Sequence, residues 1–124
     1  MREALYVFDK LGRVMYWHLP QNRGGGGIPD SRALWVFMWE NREEVGGFAH
    51  SHPWDGPAWC SDTDVRTFAA YESGLGKRLN WVVATFTDVG LFRWEGPGKH
   101  DYVLSPRRFR VEGVEKLREL SRVD

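Results

Sequence analysis

The sequence predicts an α+β fold, in which a mixed β-sheet carries one central helix and one C-terminal helix. Three observations support this class: short apolar stretches alternate with turn residues, one helical stretch follows a loop near the middle, and an amphipathic stretch closes the sequence. The 124 residues fall within the usual length of one domain, so we expect a single domain over residues 1–124.

Six stretches have the composition of strands, and the densest apolar run, at residues 33–39, indicates a buried one. The predicted strands are residues 5–8, 14–19, 33–39, 45–52, 81–87 and 91–95. A loop over residues 20–32 contains four consecutive glycines at 24–27. We interpret it as a flexible connector, because no Lys-Ser/Thr pair of a phosphate-binding loop follows it.

Two helices are predicted. Ser61 opens the first, which runs for about three turns to near Ser73 and stops at Gly74. The second covers residues 111–122, where the apolar side chains recur at helical spacing. These apolar positions are Val111, Val114, Leu117 and Leu120.

Composition and charge exclude several classes of function. Lys plus Arg and Asp plus Glu each total 17, so we expect no nucleic-acid or membrane partner. We interpret the arginines at 107, 108 and 110 as a solvated face. Cys60 is the single cysteine, which excludes an intrachain disulfide and a Cys-rich zinc finger. Without a signal peptide or an apolar run near the ~18 residues of a membrane span, the expected location is cytoplasmic.

The segment His50-Ser51-His52-Pro53 ends a predicted strand. Side chains alternate along a strand, so His50 and His52 point to the same side and can reach one zinc ion at ~2.0–2.1 Å. Pro53 cannot continue the ladder, which places the imidazoles at a solvent-open rim. Ser51 points to the opposite face, which argues against a serine hydrolase.

The next polar motif is Ser61-Asp62-Thr63-Asp64, at the predicted start of the central helix. Taken alone, it is a capping box with Ser61 at the N-cap and Asp64 at N3. Combined with the two histidines it forms a composite motif: His-x-His-Pro, seven residues, and then Ser-x-x-Asp. Chance matches to a motif of this length are rare. Three protein ligands plus water give the open coordination of a catalytic zinc.

This composite resembles the motif of the JAMM (MPN+) metalloproteases, and the chain is similar to their small prokaryotic JAB members over about residues 3–95. The resemblance implies an MPN/JAB-like, cytidine-deaminase-like architecture. It also implies that His50, His52 and Asp64 bind one Zn²⁺ with a water, while Ser61 stabilises the oxyanion. The tail at 96–124 has no match to the family.

The family's general acid/base is a glutamate on a separate, earlier strand, and here we assign it to Glu3. Glu44 lies six residues before His50, about 20 Å along one strand at ~3.3 Å per residue. Glu72 lies eight residues into the helix from Asp64, about 12 Å along its axis. A base must come within ~2.6–3.2 Å of the proton that it takes. Only Glu3 precedes a neighbouring predicted strand.

Other candidate residues carry less information. Trp54 and Trp59 flank the motif, and either burial in a loop core or a substrate-binding wall fits them equally well. We interpret Cys60 as a packing residue. His18 and His100 are expected at the surface, away from the metal.

The resemblance implies hydrolysis of an amide bond after the Gly-Gly tail of a ubiquitin-like or sulfur-carrier protein. Two alternatives remain open: a general, cell-wall or phage-type metallopeptidase, and a non-catalytic MPN scaffold. The intact set of His50, His52 and Asp64 argues against the scaffold.

Overall fold

Nine elements of secondary structure form one mixed sheet and three helices in the computed structural model, which describes residues 1–20, 31–106 and 111–122. In chain order they are β1 (Leu5–Asp9), β2 (Val14–His18), α1 (Arg32–Glu40), β3 (Val45–Ser51), α2 (Asp62–Leu75), β4 (Asn80–Ala84), β5 (Val89–Trp94), β6 (Tyr102–Leu104) and α3 (Val114–Arg122). The predicted α+β class is confirmed. The glycines at 24–27 and the arginines at 107, 108 and 110 lie outside the described residues.

The sheet has the strand order β2-β1-β3-β4-β5-β6. Strands β3 and β4 run parallel, whereas all other neighbouring pairs in this sheet are antiparallel. A parallel pair needs a crossover connection, and α2 provides it. The carboxyl end of β3 and the amino end of α2 are therefore joined by one loop at the same edge of the sheet.

Each face of the sheet buries a separate apolar cluster. On the face covered by α1 and α2, Phe68 of α2 stacks on Trp81 of β4 with ring centroids 4.2 Å apart. On the opposite face, Leu117 of α3 packs with Tyr6 of β1 and Ala49 of β3. We call these the α2 face and the α3 face. Because side chains alternate along each strand, neighbouring residues of one strand can contribute to opposite faces.

The predicted strand at 33–39 is wrong, because this segment forms helix α1. The Ser31 hydroxyl accepts a hydrogen bond from the Leu34 backbone amide and caps the helix. Leu34 and Met38, four residues apart, are buried together, while Val36 and Trp39 remain partly exposed. A short apolar run has no periodicity that separates a buried strand from a helix, so packing against the sheet decides.

Two helices differ from the prediction at one end, and one strand is absent from it. Helix α2 continues past Gly74 to Leu75, and Gly76 takes the left-handed cap conformation with φ of 71°. Helix α3 begins at Val114, three residues later than predicted. Strand β6, at residues 102–104, is absent from the prediction, and it pairs with β5. In the described part of the chain, no helix combines the length and apolar character that crossing a bilayer requires.

Candidate metal centre

Two imidazoles meet at the carboxyl end of β3. His50 lies in β3, and His52 follows it with its backbone amide hydrogen-bonded to the Ala84 carbonyl at 2.9 Å. This bond extends the pairing with β4 far enough to keep both side chains on the α2 face. The predicted position at a solvent-open rim is wrong, because the two histidines are almost fully buried, at 6% and 4% exposure. Their Nε2 atoms lie 3.2 Å apart.

Asp64 approaches the same point from the amino end of α2. The Ser61 hydroxyl accepts a hydrogen bond from the Asp64 amide, and the Asp64 carboxylate accepts one from the Ser61 amide, each at 3.0 Å. This capping box fixes the carboxylate in the first turn of the helix. The structural and the functional interpretation of the motif are therefore compatible, because the cap orients the same carboxylate toward the histidines.

The carboxylate closes a triangle of polar atoms. Its Oδ1 lies 3.3 Å from His50 Nε2, and its Oδ2 lies 3.2 Å from His52 Nε2. Burial alone raises the pKa of Asp64, but hydrogen bonds from His50 and His52 outweigh it and hold the pKa well below its usual range. The carboxylate is therefore ionised while it lies against both rings.

Glu3 enters the group from the segment that precedes β1. Strand β1 pairs antiparallel with β3, with Leu5 opposite His50, so the residue two positions before Leu5 falls beside His52 on the same face. Glu3, His50 and His52 form a buried group that could hold a metal ion, with one potential ligand atom from each within 4.8 Å of the others.

Burial raises the pKa of the Glu3 carboxyl to about 7, and the repulsion from Asp64 adds to the rise while His52 opposes it. A carboxyl group with this pKa can accept or release a proton near neutral pH, as general acid/base chemistry requires. Glu44 and Glu72 lie elsewhere. Glu44 immediately precedes β3, at the end opposite His50, and Glu72 lies in the last turn of α2.

One ring nitrogen of this group is isolated. His52 Nδ1 is buried and has no hydrogen-bond partner among the described residues. Trp54 covers the same imidazole by stacking, with ring centroids 4.6 Å apart and planes at 29°. The ring is therefore held by packing on one side and by its Nε2 contacts on the other.

The two tryptophans differ in their relation to this group. Trp54 is 43% exposed while it stacks on His52, so it forms part of the rim. Trp59 is 60% exposed and extends into solvent. Burial in a loop core, one of the two interpretations of these residues, is wrong for both. Cys60 is half-buried against the α2-face cluster, as a packing residue should be.

Of the remaining polar candidates, His100 and Ser51 lie where the sequence predicts, and His18 does not. His100 is exposed as expected, but His18, predicted at the surface, is only 4% exposed. His18 lies in β2, opposite Leu5 of β1. Ser51 points away from the histidines, as its strand position requires, and hydrogen-bonds on the α3 face to Ser121. Sequence reasoning missed Ser121, because seventy residues separate it from Ser51.

A comparison with protein-family models and with curated proteins finds no match to this chain. The function must therefore be inferred from the side chains at the carboxyl end of β3 and from the elements that hold them in place.

Proposed function

We propose that this chain is a zinc-dependent hydrolase of amide bonds. In this proposal His50, His52 and Asp64 bind one zinc ion, and Glu3 is the general acid/base. The observation that carries it is the convergence of two histidine Nε2 atoms and one carboxylate at mutual distances of 3.2–3.3 Å, beside a buried glutamate.

The triangle cannot be satisfied by protons alone. Each Nε2 carries at most one proton, and an ionised carboxylate carries none, so at most two protons serve three contacts. One contact always sets two lone pairs or two N–H groups against each other. A cation at the centre would satisfy all three. Ligand atoms at ~2.0–2.1 Å from a tetrahedral zinc lie roughly 3.3 Å apart, which matches the observed separations.

Three protein ligands leave a fourth position, as in catalytic rather than structural zinc sites. When bound, zinc lowers the pKa of a coordinated water to ~7 and polarises a carbonyl group. The Glu3 carboxylate, buried at the edge of the ligand group, then accepts the proton of the attacking water and delivers it to the leaving amine. The Ser61 hydroxyl accepts a bond from the Asp64 amide and keeps its own proton, with which it can donate to an oxyanion.

The resemblance to the JAMM family supports the substrate class and an MPN/JAB-like architecture. We propose cleavage after the Gly-Gly tail of a ubiquitin-like or sulfur-carrier protein. The exposed Trp54 stacked on His52 supports a narrow approach to the site, because an indole at the rim excludes bulky side chains next to the cut. Glycine has no side chain and would pass.

The metal is tested by a matched pair of substitutions in the first turn of α2. Asp64→Asn retains a carbonyl oxygen for the Ser61 amide but loses the charge that faces both histidines. Asp62→Asn removes a second carboxylate in the same turn of α2, one that is exposed. Wild type and Asp62→Asn should hold about one zinc per chain by elemental analysis, and Asp64→Asn should lose most of it. An active wild type without metal would refute the proposal.

The substrate is tested with two fusion proteins that differ in one residue. Both carry a ubiquitin-like domain, and the second has Val in place of the last Gly before the fusion bond. Mass spectrometry should show cleavage of the Gly-Gly fusion and a large loss of rate for the Val fusion. Equal rates would favour a general peptidase instead. A zinc-loaded protein that cleaves neither would favour the scaffold.

A further inference from the structure

We propose that Ser51 and Ser121 are positioning residues, which hold Glu3 over the metal-binding group from the opposite face of the sheet. The effect on catalysis rests on the function proposed above, whereas the placement of Glu3 does not. Ser51 lies between the two histidines and Ser121 lies in α3, so their hydrogen bond links the C-terminal helix to the candidate metal centre.

Glu3 needs such support because it lies outside regular structure. Strand β1 begins only at Leu5, and its register with β3 also begins there, so that before Leu5 only one backbone bond to β3 remains, from the Ser51 amide to the Ala4 carbonyl. Glu3 is nevertheless only 6% exposed, and its carboxyl group is fixed within reach of His50 and His52. Some other set of contacts must order this segment.

A chain of hydrogen bonds with a single direction supplies these contacts. The Ala4 amide donates to Ser51 Oγ at 2.8 Å, Ser51 Oγ donates to Ser121 Oγ at 2.9 Å, and Ser121 Oγ donates to the Arg2 carbonyl at 2.7 Å. Each hydroxyl donates one bond and accepts one. The two serines are 1% and 0% exposed, so water does not compete for these bonds.

The two ends of this chain lie on either side of Glu3. The Arg2 carbonyl belongs to the peptide bond before Glu3, and the Ala4 amide belongs to the peptide bond after it. Two backbone bonds reinforce them: the Arg2 amide donates to the Ser121 carbonyl, and the Ser51 amide donates to the Ala4 carbonyl, each at 2.9 Å. Both peptide planes that flank the Glu3 Cα are therefore fixed, and with them the direction of its side chain.

The metal-binding group and the hydrogen-bond chain lie on opposite faces of the sheet. In β3, His50 faces α2 while the adjacent Ser51 faces α3, because strand side chains alternate. The same alternation directs Glu3 toward the metal-binding group. The Arg2 carbonyl before it is anchored to Ser121 of α3, and the Ala4 amide after it to Ser51 of β3, which itself bonds to Ser121. Helix α3 thus orients a group on the far side of the sheet from a distance, and a small misplacement of such a group is costly to catalysis.

The first measurement is amide hydrogen exchange at Ala4, which needs no activity. Ser51→Ala and Ser121→Ala should each accelerate this exchange about tenfold or more, as the loss of a buried hydrogen bond predicts, with the strands of the sheet unchanged. Val114→Ala is the matched control, since it trims a half-buried side chain of α3 outside the hydrogen-bond chain. Its Ala4 exchange should stay at the wild-type rate.

The second measurement is kinetic, on zinc-loaded protein. Both alanine variants should keep their zinc and lose about 10–100-fold in kcat with little change in KM, because Glu3 is misplaced while the substrate surface is intact. The double variant should be no worse than either single one, since both break the same chain. Ser51→Thr, which keeps the hydroxyl, should restore most of kcat.

Unchanged Ala4 exchange in both alanine variants would overturn the inference, as would a Val114→Ala variant that matches them. A zinc-loaded wild type without hydrolytic activity would refute the proposed function instead. In that case the exchange rates alone decide whether the two serines order Glu3.

Discussion

Helix α2 has a carboxylate shielded from solvent near each end, that of Asp64 partly and that of Glu72 almost completely, and the two differ in how their oxygens are satisfied. Near the carboxyl end, Glu72 accepts hydrogen bonds from four donors that the protein supplies. Its Oε2 receives the Leu79 amide and the Trp81 indole at 2.9 Å, and its Oε1 receives the Arg78 guanidinium and the Tyr102 hydroxyl. At the amino end, Asp64 faces two imidazole nitrogens that together cannot supply enough protons for all their contacts.

This difference separates a carboxylate that holds the fold together from one that is available to a cation. Glu72 joins α2 to β4 and β6 through its four donors, so its acceptor capacity is full. Around Asp64, two ring nitrogens converge on the carboxylate, and His52 Nδ1 has no hydrogen-bond partner in the part of the chain that the structure describes. Both carboxylates are largely shielded from solvent, which means that burial alone does not identify a binding site. What identifies a binding site is the number of protons that are available to the acceptors gathered there.

The largest effect should distinguish the two buried glutamates by activity. Glu3→Gln keeps the size of the side chain but removes its capacity to take a proton, so hydrolysis should fall by ~10²–10⁴-fold with zinc content unchanged. Glu72→Gln should leave kcat within a few-fold of wild type. Steady-state kinetics on metal-loaded proteins measures both. A loss of kcat that is larger for Glu72→Gln would show that the assignment of the base is wrong.

The response to added zinc should separate the two ends of α2 next. Zinc that binds only the folded state stabilises it by ~4 kcal/mol when the free ion is present at about a thousand times its Kd. Metal-free wild type and Glu72→Gln should both gain this stability in denaturant unfolding, and His52→Ala should gain little. Equal stabilisation of all three would mean that zinc binds elsewhere.

The smallest effect should appear in stability without metal. Glu72→Gln replaces one oxygen by an NH₂ group and so removes the acceptor of the two donors that this oxygen serves, at a cost of about 1–3 kcal/mol in the free energy of unfolding. Asp64→Asn should cost less, because its carbonyl oxygen can still accept from the Ser61 amide in the cap. Chemical denaturation of the metal-free proteins measures the difference. A larger loss in the free energy of unfolding for Asp64→Asn would contradict the distinction between a carboxylate that stabilises the fold, Glu72, and one that is available to a cation, Asp64.

The parts of the fold that the sequence predicts are those with a strong local pattern. Strands β1 to β5 and helices α2 and α3 are recognisable from alternation, helical spacing and capping residues, with shifted ends. Helix α1 is not, because its nine residues are apolar on several sides, and only the burial of Leu34 and Met38 against the sheet selects the helix. Strand β6, with three residues, is too short to have a pattern.

The sequence by itself determined the local geometry of the candidate site. Two residues apart on a strand, His50 and His52 must face the same way, and the spacing of Ser61 and Asp64 builds a capping box wherever a helix starts there. These features depend on dihedral angles over a few residues, which is why a short stretch of sequence is enough to predict them.

The tertiary structure decided which of these local features meet. The crossover through α2 sets Asp64 against both imidazoles, and the register of β1 with β3 sets Glu3 beside them. The contact between Ser51 and Ser121 spans seventy residues, and neither local segment has a sequence pattern that predicts it. Such contacts depend on burial and strand register across the whole sheet, and no short stretch of sequence encodes either of them.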